Sequence, residues 1–539
     1  MGDSKDAQSL AADRILAIAR ALNIQPPQPT DSGQEIPPEF IARLRQVLLT
    51  DPSIPKPNPT VSLWQEPAHP TLAAIQSPTL PSLTDFIVIG SGVTGCSVTK
   101  SLLENPASGP SPGAPPHVTV LEARTLVSGA TGRNGGHFVS PAGHYYETMS
   151  KRHGEEAAKD ISRFSILNVQ RIMSLVRELD PKLAEECELR DVVKITAAID
   201  QDTWKDFMSS LSAFRKAIPE HQTYHRTTNA EEMEQKWDLK GCHGSIEHMS
   251  GAVWPYRLVT GIFERLLAQY PYNLSIETNT PATAIEYAVP DASSFPGSEY
   301  KYKVTTPRGV IYTKQIVHCT NGHAAHLLLP LTGRLHPFRG TMSVQKAPAS
   351  LDNMGGDRSW SAVFPTTLDA KTGLYTEGLF YLQQNVKTGD IWLGTERSNI
   401  FETIQGDDTY VSKEGYEPVR DFLPKFFSRW PKGAKSDLKA IWTGIQGHTS
   451  DGLPMIGRLP DYLTGRPGSD GEWFAGGYSG YGMDKAWMSG EAAAKMIAGE
   501  GVPEWLPKCF LITEDRMHNR LTVEKTIAKW VSLARTGHW

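Results

Sequence analysis

An apolar run, Asp85-Phe-Ile-Val-Ile89, leads into Gly90-Ser-Gly-Val-Thr-Gly95 and then Cys96-Ser-Val-Thr-Lys100, which sets Gly90, Gly92 and Gly95 in GxGxxG spacing. At the first glycine a strand turns sharply into a helix, at the second the backbone lies against a pyrophosphate, and at the third the helix packs closely on its sheet. The helix N-terminus offers free amides and the positive end of its dipole to the phosphate charge. A second strand, His117-Val-Thr-Val-Leu-Glu-Ala-Arg124, carries Glu122 near its end, where a carboxylate suits a ribose diol and repels a 2′-phosphate. Together the two strands predict an adenine-dinucleotide site. Glu122 follows the glycine loop by more than the usual ~20 residues, and the excess is Asn105-Pro-Ala-Ser-Gly-Pro-Ser-Pro-Gly-Ala-Pro-Pro116. Proline and glycine at that density continue neither helix nor sheet, so the segment reads as a surface loop within an intact βαβ unit.

The chain has 539 residues, enough for two large domains or more and for a buried cofactor. Its formal net charge of −5 draws it to neither nucleic acid nor anionic membrane, which points to small metabolites as partners. No window approaches the ~20 consecutive apolar residues of a membrane span, and Met1-Gly-Asp-Ser-Lys-Asp-Ala-Gln8 has no apolar signal core. A cytoplasmic location is expected; Arg535-Thr-Gly-His-Trp539 is not the Ser-Lys-Leu peroxisomal signal, and another route to that organelle stays open. Cys96, Cys187, Cys242, Cys319 and Cys509 are widely spaced with no CxxC or Cys/His ligand pattern, so they read as reduced thiols and no metal site is expected.

Residues 1–81 read as an N-terminal extension with helical patterns around Leu10 to Leu22 and Pro38 to Leu49, followed by a proline-rich strap. Leu63 and Trp64 on that strap suit either a tether packed on the surface or an oligomer contact. Beyond Glu122, the loop Val127-Ser-Gly-Ala-Thr-Gly-Arg-Asn-Gly-Gly-His-Phe138 carries small residues that let backbone lie against a flat ligand. Met149 to about Asp180 is helical by its apolar stripe, Arg190 to Ala198 is a strand, and a polar helical stretch runs to about Trp237. Gly251 to Leu266 enters a helix and Leu274 to Glu286 follows as a strand. Tyr300 to Thr306 and Val310 to Gly322 form a ribbon feeding a core strand. Strands are expected at Thr341–Lys346, Phe380–Gln383 and Ile391–Gly394, then a helix near Glu417 to Arg429. Trp442 to Gly457 and Trp473 to Gly482 are glycine-rich, and the latter runs into a helix over Met483 to Ile497.

The ordered series of the glycine loop, Glu122, Ser128-Gly-Ala-Thr-Gly-Arg-Asn-Gly-Gly136, Gly251 to Leu258, Ile276 to Ile285, Val317-His-Cys-Thr-Asn-Gly322, Arg339-Gly340, Ser450 to Gly457 and Gly476-Gly-Tyr-Ser-Gly-Tyr-Gly482 resembles the D-amino-acid oxidase superfamily of FAD-dependent amine oxidoreductases over roughly residues 82 to 500. That superfamily includes glycine, sarcosine and amino-acid oxidases. The Ala-Thr-Gly-Arg-Asn-Gly-Gly loop is similar to that of γ-glutamylputrescine-type oxidases and of fungal members with a proline-rich lead-in. The resemblance implies an α/β protein: a Rossmann-like FAD-binding domain from 82–150, 245–334 and 437–505, a substrate domain with a mainly antiparallel sheet from 151–244 and 335–436, and a C-terminal tail over 506–539.

It also implies FAD rather than NAD, and the additional glycine segments agree, since they offer backbone surfaces for an isoalloxazine ring. The implied cofactor set is Gly90, Ser91, Gly92, Val93, Thr94 and Gly95 for the pyrophosphate, with Glu122, Ala123 and Arg124 for the ribose. Ala130, Thr131, Gly132, Arg133, Asn134, Gly135 and Gly136 would run beside the flavin, and Ala282 would meet the adenine. Thr320, Asn321 and Gly322 would close over the dinucleotide, with Gly452 nearby, and Gly480, Tyr481, Gly482 and Met483 would reach the pyrimidine edge. Amides at that edge stabilise the negative charge of the reduced ring.

The reaction so implied removes a hydride from the carbon beside an amine, leaving an imine, and in an oxidase oxygen then gives hydrogen peroxide. The flavin performs the redox step, so no acid/base dyad is required. Catalytic candidates are Arg339, His448, Tyr478 and Tyr481; a surface arginine, a structural histidine and plain packing tyrosines are the competing readings. Some superfamily members attach FAD covalently, for which His137 is a better candidate than Cys319 or Cys96, although non-covalent binding is expected. Two alternatives remain at this stage: an amine dehydrogenase with another electron acceptor, and a non-catalytic module that uses FAD to hold its fold.

Overall fold

A computed structural model describes residues 36–109, 111, 113–288 and 295–537; the helical pattern around Leu10 to Leu22 lies outside them. Two sheets organise the molecule. The first has eight strands, with a spine ordered Met455–Arg458, Glu472–Gly476, Gly309–His318, Leu83–Ile89, Val118–Leu121 and Leu274–Glu277. Its central pairings are parallel, and Leu83–Ile89 lies between Gly309–His318 and Val118–Leu121 with both faces covered. That burial is why its sequence is apolar without alternation. Helix Val93–Glu104 is the crossover to Val118–Leu121, and helix Ala486–Ile497 packs on it where Gly490 leaves room for Ser97. Residues 105–116 join them as the expected loop, with neither helix nor strand among the described residues.

The second sheet has nine strands, ordered along its main path Asp437–Thr449, Leu335–Lys346, Ile391–Thr395, Leu379–Gln384, Arg358–Val363, Arg190–Ala198, Gly244–Ala252 and His137–Phe138. All its pairings are antiparallel except Arg358–Val363 with Arg190–Ala198. Three segments expected in the dinucleotide part, His137–Phe138, Gly244–Ala252 and Asp437–Thr449, pair in this sheet instead. Ladder partners, not local sequence, decide which sheet a strand joins. Strand Leu335–Lys346 is also longer than Thr341–Lys346, because it pairs along its whole length with Asp437–Thr449.

The strap packs on the body and is pinned by one inserted side chain. Trp64 is 2% exposed, stacks on Trp392 with centroids 3.6 Å apart, and meets Trp254 edge-on at 5.2 Å. Its indole N–H donates to the Asn134 carbonyl, and the Ser62 hydroxyl donates to the Gly132 carbonyl at 2.8 Å. A tryptophan amid neighbouring polar and proline residues buries most of the apolar area such a strap has to offer. Among the described residues no helix is long and apolar enough to cross a membrane.

Candidate active site

One cavity, about 340 Å³ in volume, runs between the two sheets from the glycine loop to the second sheet's floor. At its first end Gly90 has φ 110°, and a Cβ there would stand 2.7 Å from the Cys319 carbonyl oxygen. A Cβ on Gly95 would overlap the Gly90 carbonyl oxygen, so the third glycine serves helix packing and does not line the cavity. Ser91, Gly92, Val93 and Thr94 do line it. The Val93 amide donates to Thr131 Oγ1 at 2.9 Å, which ties the helix start to the loop over 128–136.

Glu122 is buried and accepts from the Ser91 hydroxyl at 2.7 Å and from the Arg124 amide at 3.0 Å. Its Oε2 also accepts the Ser91 amide at 3.2 Å, so the acceptor capacity left is on Oε1; Ala123, Pro281 and Ala282 also border the cavity here. Arg124 and Arg133 line the cavity too, yet their guanidinium groups are committed to Asp408, at 3.0 and 3.6 Å. Arg133 further donates to the carbonyls of Ser128, Thr60 and Thr443, each at 2.8 Å. Burial, only partly offset by Asp408, lowers its pKa to about 10. It braces strap, loop and second sheet together.

Ala130, Thr131, Asn134 and Gly135 border the cavity, whereas Gly132, Gly136 and Gly322 do not. These three allow close approach: a Cβ on each would overlap Val127 O, Gln383 Nε2 or Gln446 O. Thr320 and Asn321 line the cavity, and the Asn321 side-chain oxygen accepts the Gly477 amide at 2.9 Å. Gly480, Tyr481, Gly482 and Met483 also line it. Gly452 does not; with φ 77° it turns the chain between Asp451 and Leu453, remote from the site. Tyr478 stands in the wall, its hydroxyl 2.8 Å from Thr94 Oγ1, while the Tyr481 ring is 37% exposed with Lys485 Nζ 5.4 Å from its centroid.

Two catalytic candidates are not in the wall. Strand alternation turns Gly340 and Met342 to the cavity and sends Arg339 to the opposite face. There Arg339 is fully buried, 4.1 Å above the Tyr410 ring and 3.7 Å from Glu402. His448 lies behind the wall, stacked on Phe338 at 4.2 Å, and burial beside Lys529 and His336 pushes its pKa well down. Its Nε2 is 2.8 Å from Gln446 Oε1, and Gln446 itself lines the cavity.

The floor holds residues that the sequence analysis missed: Lys194, Thr196, Ser361, Glu377 and Tyr381. Thr196, Ser361 and Tyr381 share one row across three strands. A lysine inside Val192-Val193-Lys194-Ile195 was a legible signal; Glu377 offered none. The strap contributes Ile54 and Pro55, and His137, His144 and Cys319 also border the space. Burial raises the Cys319 thiol and, together with Lys194, lowers both imidazoles, His144 to about 4.

A sheet with parallel central pairings and a glycine-loop crossover, facing a mainly antiparallel sheet across a shared cavity, is the arrangement of a dinucleotide-binding protein. Residues 85–496 match the family described as DAO, FAD dependent oxidoreductase, and the chain belongs to that family. The residues present fit FAD: the pyrophosphate turn has no room for a Cβ at Gly90, and Glu122 keeps acceptor capacity for a ribose. The chain is 22% identical over 433 residues to γ-glutamylputrescine oxidoreductase of Escherichia coli (strain K12), covering 77% of this chain and 84% of the relative. In fold it is similar to glycine oxidase from Geobacillus kaustophilus (TM-score 0.59, 17% identity, 80% of this chain and 99% of that one). It is also similar to L-proline dehydrogenase from P. horikoshii (TM-score 0.57, 19% identity, 82% and 100%).

Proposed function

We propose that this protein oxidises the C–N bond of an amine or amino acid with FAD held non-covalently, and that oxygen is the acceptor. The observation that carries the reading is the continuity of the cavity from the glycine loop to a floor of polar and aromatic side chains. The names of its relatives, which act on amines or amino acids, support the substrate class. Bound FAD supplies hydride removal at N5 from the carbon beside the amine, yielding an imine and, with O2, H2O2.

The chain's part is to bind, orient and keep water out. Ser91 to Thr94 and Glu122 hold the dinucleotide, while Ala130 to Asn134 and Gly480 to Met483 flank the space left for the ring. Tyr381 and Tyr481 present aromatic faces that attract an amine's positive charge. Tyr478 fixes the Thr94 hydroxyl near the helix start. His448 is a positioning residue that acts through Gln446, and Arg339 supports the sheet from behind. A Cys319 thiol raised by burial is a poor nucleophile, which favours unattached FAD.

The test is anaerobic mixing of the yellow protein with a panel of polyamines, N-methyl amino acids, cyclic imino acids and ω-amino acids. Bleaching of the flavin band followed by peroxide on admitting oxygen is expected. Bleaching without peroxide identifies a dehydrogenase, and no bleaching across the panel overturns amine oxidation.

A further inference from the structure

The charged side chains bordering the cavity are nearly all accounted for. Arg124 and Arg133 pair with Asp408, Asp484 pairs with Lys485 at 2.6 Å, and Glu122 is held by Ser91 and Arg124. Lys194 and Glu377 remain.

Lys194 is 2% exposed and donates one hydrogen bond, to the Trp360 carbonyl at 2.6 Å, with no carboxylate in ion-pair range among the described residues. His137 and His144 border the cavity on its side, and the His137 Nε2 has no partner. Burial pushes the Lys194 pKa well down, and its remaining N–H groups have no acceptor among the described residues, so an anionic group arriving beside it would both restore the charge and fill those donors. Glu377 lines the cavity with no hydrogen-bond or ion-pair partner for its carboxyl group among the described residues. Tyr381 and Tyr481 line the same cavity, and burial with Glu396 raises the Glu377 pKa to about 8.

The two groups are far apart on the floor. Lys194 shares a row with Ser359 and Gln383, whereas Glu377 lies beyond the other end of Leu379–Gln384. That offset is roughly 20 Å along the strand at ~3.3 Å per residue, with Lys194 two strands to the side, ~10 Å more. Long side chains shorten the gap without closing it to the ~3 Å between the charged groups of an α-amino acid.

Resting on the function proposed above, we propose that the floor is a two-pole site in which Lys194 takes an anionic group of the substrate and Glu377 a cationic one. The substrate is then an elongated amine carrying a carboxylate several bonds from its ammonium. Specificity comes from the separation of the poles: a compact α-amino acid reaches only one of them.

FAD-loaded protein is titrated with 5-aminovalerate, pentylamine, valerate and glycine, following the flavin spectrum. The bipolar probe is expected to bind at least about tenfold more tightly than any of the others. Lys194→Met weakens 5-aminovalerate and valerate about tenfold and leaves pentylamine unchanged, and Lys194→Arg retains valerate. Glu377→Gln weakens 5-aminovalerate and pentylamine and leaves valerate unchanged. Probes that shift together in both variants, or glycine binding as tightly as 5-aminovalerate, overturn the inference alone. Protein that takes up no FAD overturns the proposed function, and the inference with it.

Discussion

At the dinucleotide end of the cavity Gly90, Gly92 and Gly95 work by having no side chain, whereas at the other end Lys194, Thr196, Ser361, Glu377 and Tyr381 work through side chains brought together by strands distant in sequence. The first end is local: a strand, a turn and a helix within 83–104 make it. The second exists only once Arg190–Ala198, Arg358–Val363 and Leu379–Gln384 lie side by side. Tolerance differs accordingly. Backbone that touches backbone cannot yield, while a side chain on a cavity floor can be exchanged at the cost of specificity.

The most disruptive way to test that contrast is Gly95→Val, whose side chain meets the Gly90 carbonyl with nothing flexible to move. Loss of folded protein is expected. Gly92→Leu is narrower, because its Cβ meets only the Thr131 hydroxyl at 3.0 Å; it should fold and purify colourless. A fully yellow Gly92→Leu protein would contradict the pyrophosphate assignment. Next in size is Trp64→Ala, which empties the space against Trp392 and Trp254 and should cost about 3–5 kcal/mol in denaturant unfolding. FAD retention should fall as well, since the same indole ties down Asn134.

The substrate end predicts a pH effect. Burial raises Glu377 to about 8 and Glu396 to about 7, both above their ordinary value of 4.5. For an acid whose folded pKa is raised, the folded state holds the proton longer. Stability of the ligand-free protein is therefore greatest below about pH 4.5 as far as these groups are concerned, and falls as pH rises toward 8. Thermal unfolding across that window should show the decline, and Glu377→Gln should flatten it; an unchanged slope removes Glu377 as its source. The smallest effect is expected for Tyr478→Phe, which breaks the 2.8 Å contact to Thr94. A loss of about 1 kcal/mol in unfolding is expected, with FAD still bound.

Legibility followed the same division. Glycine spacing, Glu122 and the loop at 128–136 could be singled out from sequence because their residue types mark a turn, a strand end and a small-residue loop, although Gly95, Gly132 and Gly136 serve packing and do not border the cavity. Arg339 was misplaced for a physical reason: within Leu335–Lys346 one residue of register decides which face a side chain takes, and Gly340 took the cavity face. His448 was near the right place but one layer back, behind Gln446. Gly452 was drawn in by its glycine-rich surroundings and proved to serve a turn. That Trp64 docks on the body was legible, but not where, because nothing in 51–81 shows that Trp254 and Trp392 converge to receive it.

The sequence by itself determined that a strand–glycine–helix unit followed by a second strand leading into Glu122 exists, since an apolar run, a glycine turn and a helix start are properties of a short segment. Tertiary structure decided which side chains face the cavity, that Ile54 and Pro55 of the strap border it, and that Lys194 has no carboxylate in ion-pair range and Glu377 no cation at opposite ends of one floor among the described residues. Those facts depend on strand register and on contacts between residues hundreds of positions apart, and such contacts leave no mark on the neighbours of either residue.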